Sequence, residues 1–363
     1  MIYREYGKTG KKISVVGFGG MRFDLPNETD ASAELLLHAF NKGINYFDTA
    51  PFYFKGKSEK IFGRAIPELR KAGGDFYIST KSMAKDVDSL RMDLEKSLER
   101  LGIDKVDVYH VWCVLSPDDY SRRKAAGIID EFWKIKEEGL TDHISISTHM
   151  SGVEIENLLG TEVFEGITAG YSAINFPFRE SGINAAARRD MGVVIMNPLG
   201  GGSIVNNPDE FSFIKMRPRQ SMVEAALHFL LSNTGITSAL VGFGNKDHID
   251  EAVAAVDSFI PYTEAETERL KEKIQEDFQN MCTTCGYCNV CPEDIKVWAF
   301  MESYNHLMLK SQYKASDRIH WHWNVSPGEL DRCISCGKCE EACTQHLPIL
   351  ERFEKLRKNL NTK

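Results

Sequence analysis

The chain has 363 residues, an apolar fraction of 42% and a formal net charge of −8, as expected for a globular protein with a sizeable core. The acidic balance and the lack of a basic stripe argue against a nucleic-acid partner. The start, MIYREYGKTGKK, is charged without an apolar run behind it, and no apolar run approaches the roughly 18 residues of a membrane span. We therefore expect a soluble, cytoplasmic protein that acts on a small-molecule substrate.

Short strand-like runs alternate with segments of helical periodicity from residue 13 to about residue 257. In chain order, ISVVGFGG precedes ASAELLLHAFNKG, INYFDTA precedes SEKIFGRAI, and FYISTKS precedes DSLRMDLEKSLERLG. The last of these helices repeats leucine on one face, at Leu90, Leu94, Leu98 and Leu101. Five further pairs begin with the strands VDVYHVWCV, HISISTH, GITAGYSAINF, VVIMNPLGG and SALVGFG.

Eight strand and helix pairs predict a parallel sheet with right-handed crossovers, closed into a (β/α)8 TIM barrel. A doubly wound open sheet is the alternative, but it calls for a G-x-G-x-x-G turn after the first strand. The sequence has GFGGMR at that place, so the barrel is favoured. Segments 113–124 and 203–220 are expected to be loops that determine specificity. Chemistry in such barrels gathers at the carboxyl ends of the strands.

Three polar side chains follow the second and third strands of the predicted barrel. FDTAPFY contains Asp48 and Tyr53, and STK contains Lys81. In one interpretation Asp48 orients Lys81, whose cation lowers the pKa of Tyr53, so that the phenol can protonate a carbonyl oxygen as hydride reaches its carbon. In the other, Asp48 and Lys81 form a structural ion pair at the barrel mouth.

Several motifs in the right order resemble the aldo-keto reductase family over about residues 1 to 260. They are the opening hairpin YGKTGKKISVVGFGG, then GINYFDTAPFY, STK, LGIDKVDVY, GVVIMNPLGGG and LVGFGNKDHIDEAV. The resemblance implies a barrel that binds NADP(H) without a Rossmann domain. It also implies a catalytic tetrad of Asp, Tyr, Lys and His, whose first three members are Asp48, Tyr53 and Lys81.

The fourth member of the tetrad has no direct counterpart. The family usually carries histidine five residues after the aspartate that is Asp107 here, and that position holds Trp112. His110 lies two residues earlier, on the same side of the strand but ~6–7 Å deeper. Either a local bulge shifts His110 into use, or Trp112 forms a wall of the pocket while His110 is a hydrogen-bonded interior residue. His149, at the end of the next strand, is a further candidate.

The nucleotide site implied by the family also departs from its pattern near the nicotinamide. Thr148 and Tyr171 stand where the family usually has asparagine and glutamine, and Ala252 replaces a common asparagine near the adenine end. The candidate cofactor-binding residues are Ser147, Asn175, Pro198, Leu199, Gly200, Gly242, Asn245, Lys246, His248 and Glu251.

Eight of the nine cysteines lie in two runs near the end of the chain. The runs have the spacings C-x2-C-x2-C-x2-C-P and C-x2-C-x2-C-x3-C. In a reducing compartment such thiols bind metal rather than form disulfides. Paired C-x2-C elements also build zinc sites, but two complete four-cysteine runs favour two [4Fe–4S] clusters. The ninth, Cys113, is expected to be a buried small hydrophobe.

By analogy with bacterial ferredoxins, the fourth cysteine of each run ligates the other cluster. One cluster would take Cys282, Cys285, Cys288 and Cys343, and the other would take Cys333, Cys336, Cys339 and Cys291. The segment between the runs is expected to be helical, so residues 276–363 resemble an α-helical ferredoxin domain attached to a barrel of residues 1–275.

Two functions follow from this organisation. The first is an oxidoreductase that reduces a carbonyl-like substrate with electrons from NADPH, or from a ferredoxin or flavodoxin, and passes single electrons through the clusters. A flavin could bridge two-electron and one-electron steps, although the sequence has no flavin signature. The second is a catalytically degenerate barrel that acts as an electron carrier or redox sensor for a partner protein. A third arrangement keeps the enzyme but makes the clusters structural.

Overall fold

Eight parallel strands form a closed barrel, preceded by a short antiparallel hairpin. This computed structural model describes residues 1–23, 29–277, 281–282, 286–308, 315, 319–320 and 323–361. The hairpin consists of β1 (Tyr3–Glu5) and β2 (Lys12–Ser14). The barrel strands are β3 (Val16–Gly19), β4 (Tyr46–Asp48), β5 (Tyr77–Ser82), β6 (Val106–Val114), β7 (Thr141–Thr148), β8 (Gly166–Gly170), β9 (Gly192–Met196) and β10 (Ser238–Val241). The predicted (β/α)8 barrel is thereby confirmed.

Helices follow the barrel strands and cover the outside of the sheet. They are α1 (Thr29–Asn41), α2 (Ser58–Ala72), α3 (Val87–Leu101), α4 (Pro117–Ala125), α5 (Ile128–Glu137), α6 (Gly152–Thr161), α7 (Glu180–Ala187), α8 (Ser203–Asn206), α9 (Met222–Ser232), α10 (Lys246–Asp257) and α11 (Glu264–Asp277). The leucine face of α3 points to the core, with Leu90, Leu94 and Leu101 buried.

Segment 113–124, expected to be a loop, is largely helical. Helix α4 begins after Ser116, whose side chain accepts a hydrogen bond from the Asp119 backbone N–H, with Pro117 at the first helical position. Serine as the cap and proline directly after it are strong start signals for a helix. The expectation of a loop was wrong, because Ser116 and Pro117 start a helix within this segment.

The hairpin closes the amino-terminal end of the barrel. Tyr6 follows β1 and is 1% exposed. A side chain at either Gly166 or Gly192, on neighbouring strands, would collide with the Tyr6 ring, so both positions need glycine. The Tyr6 ring therefore fills the amino-terminal end of the barrel, and the carboxyl-terminal end is left for ligands.

The part of the chain after residue 280 has a hydrophobic cluster of its own. Its helices are α12 (Val297–Met308), α13 (Lys338–Glu341) and α14 (Ile349–Asn361). Phe300 and Phe353 meet edge to face inside this cluster, at 5.8 Å between ring centroids. Within the described ranges, no helix is long and apolar enough to cross a membrane.

Candidate active site at the barrel mouth

Asp48 and Lys81 form a buried ion pair at the carboxyl ends of neighbouring strands. The register that pairs Asp48 with Ser79 brings the Lys81 Nζ to 2.5 Å from the Asp48 Oδ1. Both side chains are almost completely buried, and Ser79 Oγ donates a second hydrogen bond, of 2.6 Å, to the same carboxylate oxygen. Lys81 Nζ also donates to the Thr49 carbonyl at 2.8 Å. The ammonium is thus held in a fixed position by two neighbours.

Tyr53 lies over this pair, and the expected direction of its pKa shift was wrong. The Lys81 Nζ is 5.0 Å from the centroid of the Tyr53 ring. Burial of the phenol raises its pKa well above the ordinary value of 10.0, and the Asp48 carboxylate adds to the effect. Burial also lowers the pKa of Lys81. Loss of solvation and the nearby carboxylate both favour the neutral phenol, so the resting phenol is protonated.

His110 belongs to the same layer of the barrel interior. It pairs with Lys81 across β5 and β6, and its Nε2 is 3.9 Å from Asp48 Oδ1, beyond hydrogen-bond distance. Neither ring nitrogen has a hydrogen-bond partner among the described residues, so the expected hydrogen-bonded interior histidine does not appear there. Burial and the charge of Lys81 lower the pKa of His110 well below 6.5, which keeps the ring neutral.

A bulge follows His110 rather than displacing it. The pairing of β6 with β7 is regular through Val111 and then shifts before Val114, with Cys113 at a φ of +57°. The guanidinium of Arg123, on α4, donates to the carbonyls of Trp112 and Cys113 at 2.6 and 3.2 Å and fixes this irregular backbone. The bulge therefore positions Trp112 and leaves His110 in the regular ladder.

Trp112 packs behind Tyr53 as an aromatic wall. Its ring meets the Tyr53 ring edge to face at 5.5 Å and stacks on Phe52 at 5.9 Å. Trp112 is only 4% exposed, whereas Phe52 is exposed. The indole restricts the phenol from the side, which fits the second of the two arrangements considered for this position.

A cavity of about 190 Å³ opens above Tyr53 and reaches the loops after several strands. Asp48, Tyr53, His149 and Tyr287 line it. The other lining residues are Gly19, Met21, Arg22, Met196, Asn197, Pro198, Leu199, Gly201, Gly202, Leu240, Val241 and Gly242. Of the candidate cofactor-binding residues, Pro198, Leu199 and Gly242 therefore share one cavity with the candidate catalytic residues.

The glycine segment after β9 has a backbone conformation that favours glycine. Gly200, Gly201 and Gly202 have φ angles of +61°, +69° and +98°, which side chains larger than glycine rarely adopt. Gly201 and Gly202 line the cavity, and Arg22 donates to the carbonyl of Gly201 at 3.2 Å and brings a cation to the cavity rim. A guanidinium at this rim suits an anionic ligand such as the phosphates of NADP(H).

The remaining cofactor candidates lie apart from the cavity lining. Asn245 caps α10 by accepting from the His248 backbone N–H, and Lys246 forms an exposed ion pair with Glu34 at 3.7 Å. Glu251 is exposed on the same helix. Ser147 is buried inside the barrel, and Asn175 accepts a hydrogen bond from Ser172. Tyr171 stacks on Phe229 in the core rather than at the cavity.

His149 and Tyr287 meet at the cavity, and the second of these residues was not anticipated. Their rings are 4.9 Å apart and nearly perpendicular, and both line the cavity. Burial, with a smaller contribution from the charge of Arg179, lowers the pKa of His149 to about 3. Its Nε2 has no hydrogen-bond partner within the part of the chain that the structure describes. A neutral imidazole is thus presented beside Tyr53.

The cysteine runs lie in the small hydrophobic cluster of the tail. Cys282, Cys288, Cys339 and Cys343 are buried members of that cluster, and Cys291 and Cys333 pack against it. Cys336 is exposed, and Cys285 lies outside the described residues. Among the residues that are described, no group of three or more Cys, His, Asp or Glu side chains is arranged to hold a metal ion.

One hydrogen bond joins the regions of the two runs, and another lies within the second. Gln345 donates to the Met281 carbonyl at 3.0 Å, and the Leu347 backbone N–H donates to Cys343 Sγ at 3.4 Å. The buried guanidinium of Arg352 has its pKa lowered by burial, while nearby Tyr304, Cys282 and Cys343 raise it. Cys282 of the first run and Cys343 of the second therefore both lie near the Arg352 guanidinium.

A closed barrel with a phenol, an ammonium and a carboxylate at its mouth is typical of a barrel oxidoreductase. The model of the Aldo/keto reductase family matches residues 15–275, and the chain belongs to that family. It is accordingly an oxidoreductase of the aldo-keto reductase type. The matched region ends before the first cysteine run.

Two similar proteins extend over most of the barrel. L-galactose dehydrogenase of Arabidopsis thaliana is 28% identical over 319 residues, covering 78% of this chain and 97% of that protein. An uncharacterized oxidoreductase of Bacillus subtilis (strain 168) is 25% identical over 313 residues, covering 76% and 97%. The holo form of an aldo-keto reductase from Bacillus halodurans superposes with a TM-score of 0.64 at 23% identity, covering 75% and 96% of the two chains, which shows the shared fold.

Proposed function

We propose that the chain reduces a small carbonyl compound with NADP(H) at the barrel mouth, and that residues 276–363 form a ferredoxin-like domain holding two [4Fe–4S] clusters. One observation carries the barrel part of this proposal. A single cavity is lined both by Tyr53 and Asp48 and by the nucleotide-side residues Pro198, Leu199 and Gly242. A hydride donor and a proton donor would therefore face the same carbonyl group.

Tyr53 is the group that we expect to donate the proton. Its raised pKa keeps the phenol protonated at neutral pH, so the proton is available when charge develops on the carbonyl oxygen. Lys81, 5.0 Å from the ring, stabilises the phenolate that this transfer leaves behind. Asp48 holds the ammonium in place. The product is the alcohol, and Tyr53 regains its proton from solvent.

When bound, NADPH would supply a hydride and each cluster would supply single electrons, and a flavin or a radical-tolerant substrate would have to couple the one-electron and two-electron steps. Support for the clusters comes from four buried cysteines and two half-buried ones in one hydrophobic cluster, and from the backbone N–H that donates to Cys343 Sγ. Arg352, beside Cys282 and Cys343, would offset part of the negative charge of the thiolates. L-galactose dehydrogenase, one of the similar proteins, suggests a sugar-like carbonyl or alcohol as one substrate class to test.

The first experiment is an anaerobic titration of the pure protein with NADPH, with the clusters followed by electron paramagnetic resonance. Signals that grow with added NADPH would support one electrical path from the nicotinamide to the clusters. If dithionite reduces the clusters and NADPH does not, NADPH is not their donor. A reduced ferredoxin or flavodoxin would then be tested in its place, and a lack of NADPH binding would favour the electron carrier or sensor.

The proton-donor role is tested separately by Tyr53→Phe. Reduction of 4-nitrobenzaldehyde, used as a generic aldehyde, is expected to fall by about 10²–10⁴-fold because general acid catalysis is lost. Iron and sulfide content should stay at the wild-type level, since Tyr53 belongs to the barrel. Phe52→Leu, a neighbouring change on the exposed side of Trp112, is the matched control. Equal turnover in Tyr53→Phe and wild type would remove Tyr53 from the mechanism.

A further inference from the structure

The first cysteine run contributes a side chain to the barrel cavity. Tyr287 lies between Cys285 and Cys288 in the sequence, yet its ring lines the same cavity as Asp48 and Tyr53. The ring also packs beside the Trp112 and Ala50 cluster at the barrel mouth. A residue from the tail therefore closes a pocket whose other walls come from β-strand ends and the loops that follow them.

The Tyr287 ring packs against the ring of His149. The two rings meet edge to face at 4.9 Å. The backbone of His149 is itself fixed, because its N–H donates to the Val114 carbonyl at 3.1 Å and its carbonyl accepts from Arg179 at 2.7 Å. Tyr287 thus contacts a rigid part of the barrel rather than a loose loop.

A second contact joins the other cysteine run to the same place. Arg179 is 2% exposed, and its guanidinium donates to the carbonyls of His149 and Met150. The same Nη2 donates at 3.2 Å to the carbonyl of Thr344, directly after Cys343. Both cysteine runs therefore touch the barrel at the strand end that carries His149.

We propose that Tyr287 is a specificity-determining residue: the first cysteine run forms a wall of the substrate pocket and limits which carbonyl compounds reach Tyr53. With Tyr287 in place the cavity is about 190 Å³, below the roughly 300 Å³ at which ordinary ligand pockets begin. Compact substrates are favoured, because the Tyr53 and Tyr287 rings both line this small space. The selectivity part of this inference rests on the proposed reductase function.

The wall itself is tested without any substrate. Amide hydrogen exchange is measured by mass spectrometry on the full-length protein, purified anaerobically, for segments 112–115 and 147–152. Tyr287→Ala is expected to speed exchange there by roughly ten-fold, because local opening sets these rates. Tyr304→Ala is the matched control, since Tyr304 packs on Arg352 inside the tail. Equal amide protection of these segments in Tyr287→Ala and wild type would show that Tyr287 does not form a wall of the cavity.

Selectivity is tested with two carbonyl probes of different size, 4-nitrobenzaldehyde and 9,10-phenanthrenequinone. Tyr287→Ala is expected to shift the ratio of their kcat/KM values by roughly ten-fold toward the larger quinone, mainly through KM. Tyr287→Phe should keep the wild-type ratio because it keeps the ring, and a damaged fold would lower both rates together. An unchanged ratio in Tyr287→Ala overturns the specificity role alone. If the wild type reduces neither probe, the proposed function fails, and the exchange measurement still decides whether Tyr287 closes the cavity.

Discussion

In the barrel, strand register sets the positions of the polar groups, whereas in the tail side-chain contacts do. Tyr46 pairs with Tyr77 and Lys81 with His110 in unbroken parallel ladders, and the ion pair at the rim follows from that geometry. In the tail, the Asn305 side chain makes two hydrogen bonds with the backbone of Cys282. Its Oδ1 accepts one from the Cys282 N–H, and its Nδ2 donates one to the Cys282 carbonyl. The barrel is specified by its backbone, and the tail by a few contacts around the cysteines.

This difference indicates that the two regions should be destabilised by different kinds of substitution. A barrel built from eight ladders tolerates the loss of a surface contact but not of a buried charge. The tail has a small core of cysteine, aliphatic and aromatic side chains. Under the proposed function this core would depend on the clusters for its stability, because small domains bury too little apolar surface to be stable alone. The predictions below separate these two kinds of stability.

The largest effect is expected from Cys336→Ser, which removes an exposed thiol of the second run. We expect the iron and sulfide content to fall by about half or more, because one of the two proposed clusters would lose a ligand. The tail should then lose its thermal transition while the barrel keeps its own. Metal analysis and differential scanning calorimetry under anaerobic conditions provide the measurements.

Cys113→Ala is the matched control for this change. Cys113 lies in the barrel at the bulge, outside both runs. Alanine at this position has to adopt the same positive φ angle as the cysteine. Its metal content should equal that of the wild type. Stoichiometric zinc in place of iron, in protein purified without oxygen, would show that the cluster assignment is incorrect.

A smaller effect, confined to the barrel, is expected from Lys81→Ala. The change leaves Asp48 buried without its cation, and breaking a buried pair in this way costs about 3–5 kcal/mol. Lys105→Ala removes an ion pair whose lysine is 56% exposed and should cost at most about 1 kcal/mol. Urea unfolding followed by circular dichroism would measure both. Equal losses in the two variants would mean that Asp48 reaches solvent.

The smallest effect concerns Glu165, at the amino-terminal side of the barrel. Burial alone would raise its pKa, but bonds from His143 and Lys136 and from the Ile144 N–H lower it to about 2 from an ordinary 4.5. Because the pKa of this carboxyl is lower in the folded chain than in the unfolded chain, ionised Glu165 stabilises the fold at pH values above about 4.5. This stability is lost as pH falls from about 4.5 toward 2. Glu165→Gln should therefore cost about 1–2 kcal/mol at pH 7 and nothing near pH 2. A pH-independent difference between variant and wild type would contradict this assignment.

The sequence was informative where a feature repeats along the chain. Eight strand and helix periods predicted the barrel, and the strand ends predicted that Asp48 and Lys81 would meet. The pKa of Tyr53 was missed because its desolvation depends on how Trp112 and its neighbours pack. Tyr287 was missed because nothing local indicates a contact with His149, far away in sequence. Arg179 was also missed, because the sequence does not show that its side chain is buried and donates a hydrogen bond to the Thr344 carbonyl.

The ladder between β3 and β10 also bears on how the chain is made. Val16 pairs with Ala239, so nearly the whole barrel sequence separates the two sides of that ladder. Strand β3 can pair with β4 early in synthesis, but its other edge stays open until β10 has left the ribosome. An open strand edge is a template for wrong pairing, and contacts of this length form slowly. The nascent chain therefore keeps an open strand edge, and with it a site for wrong pairing, until the last of the eight strands has been added.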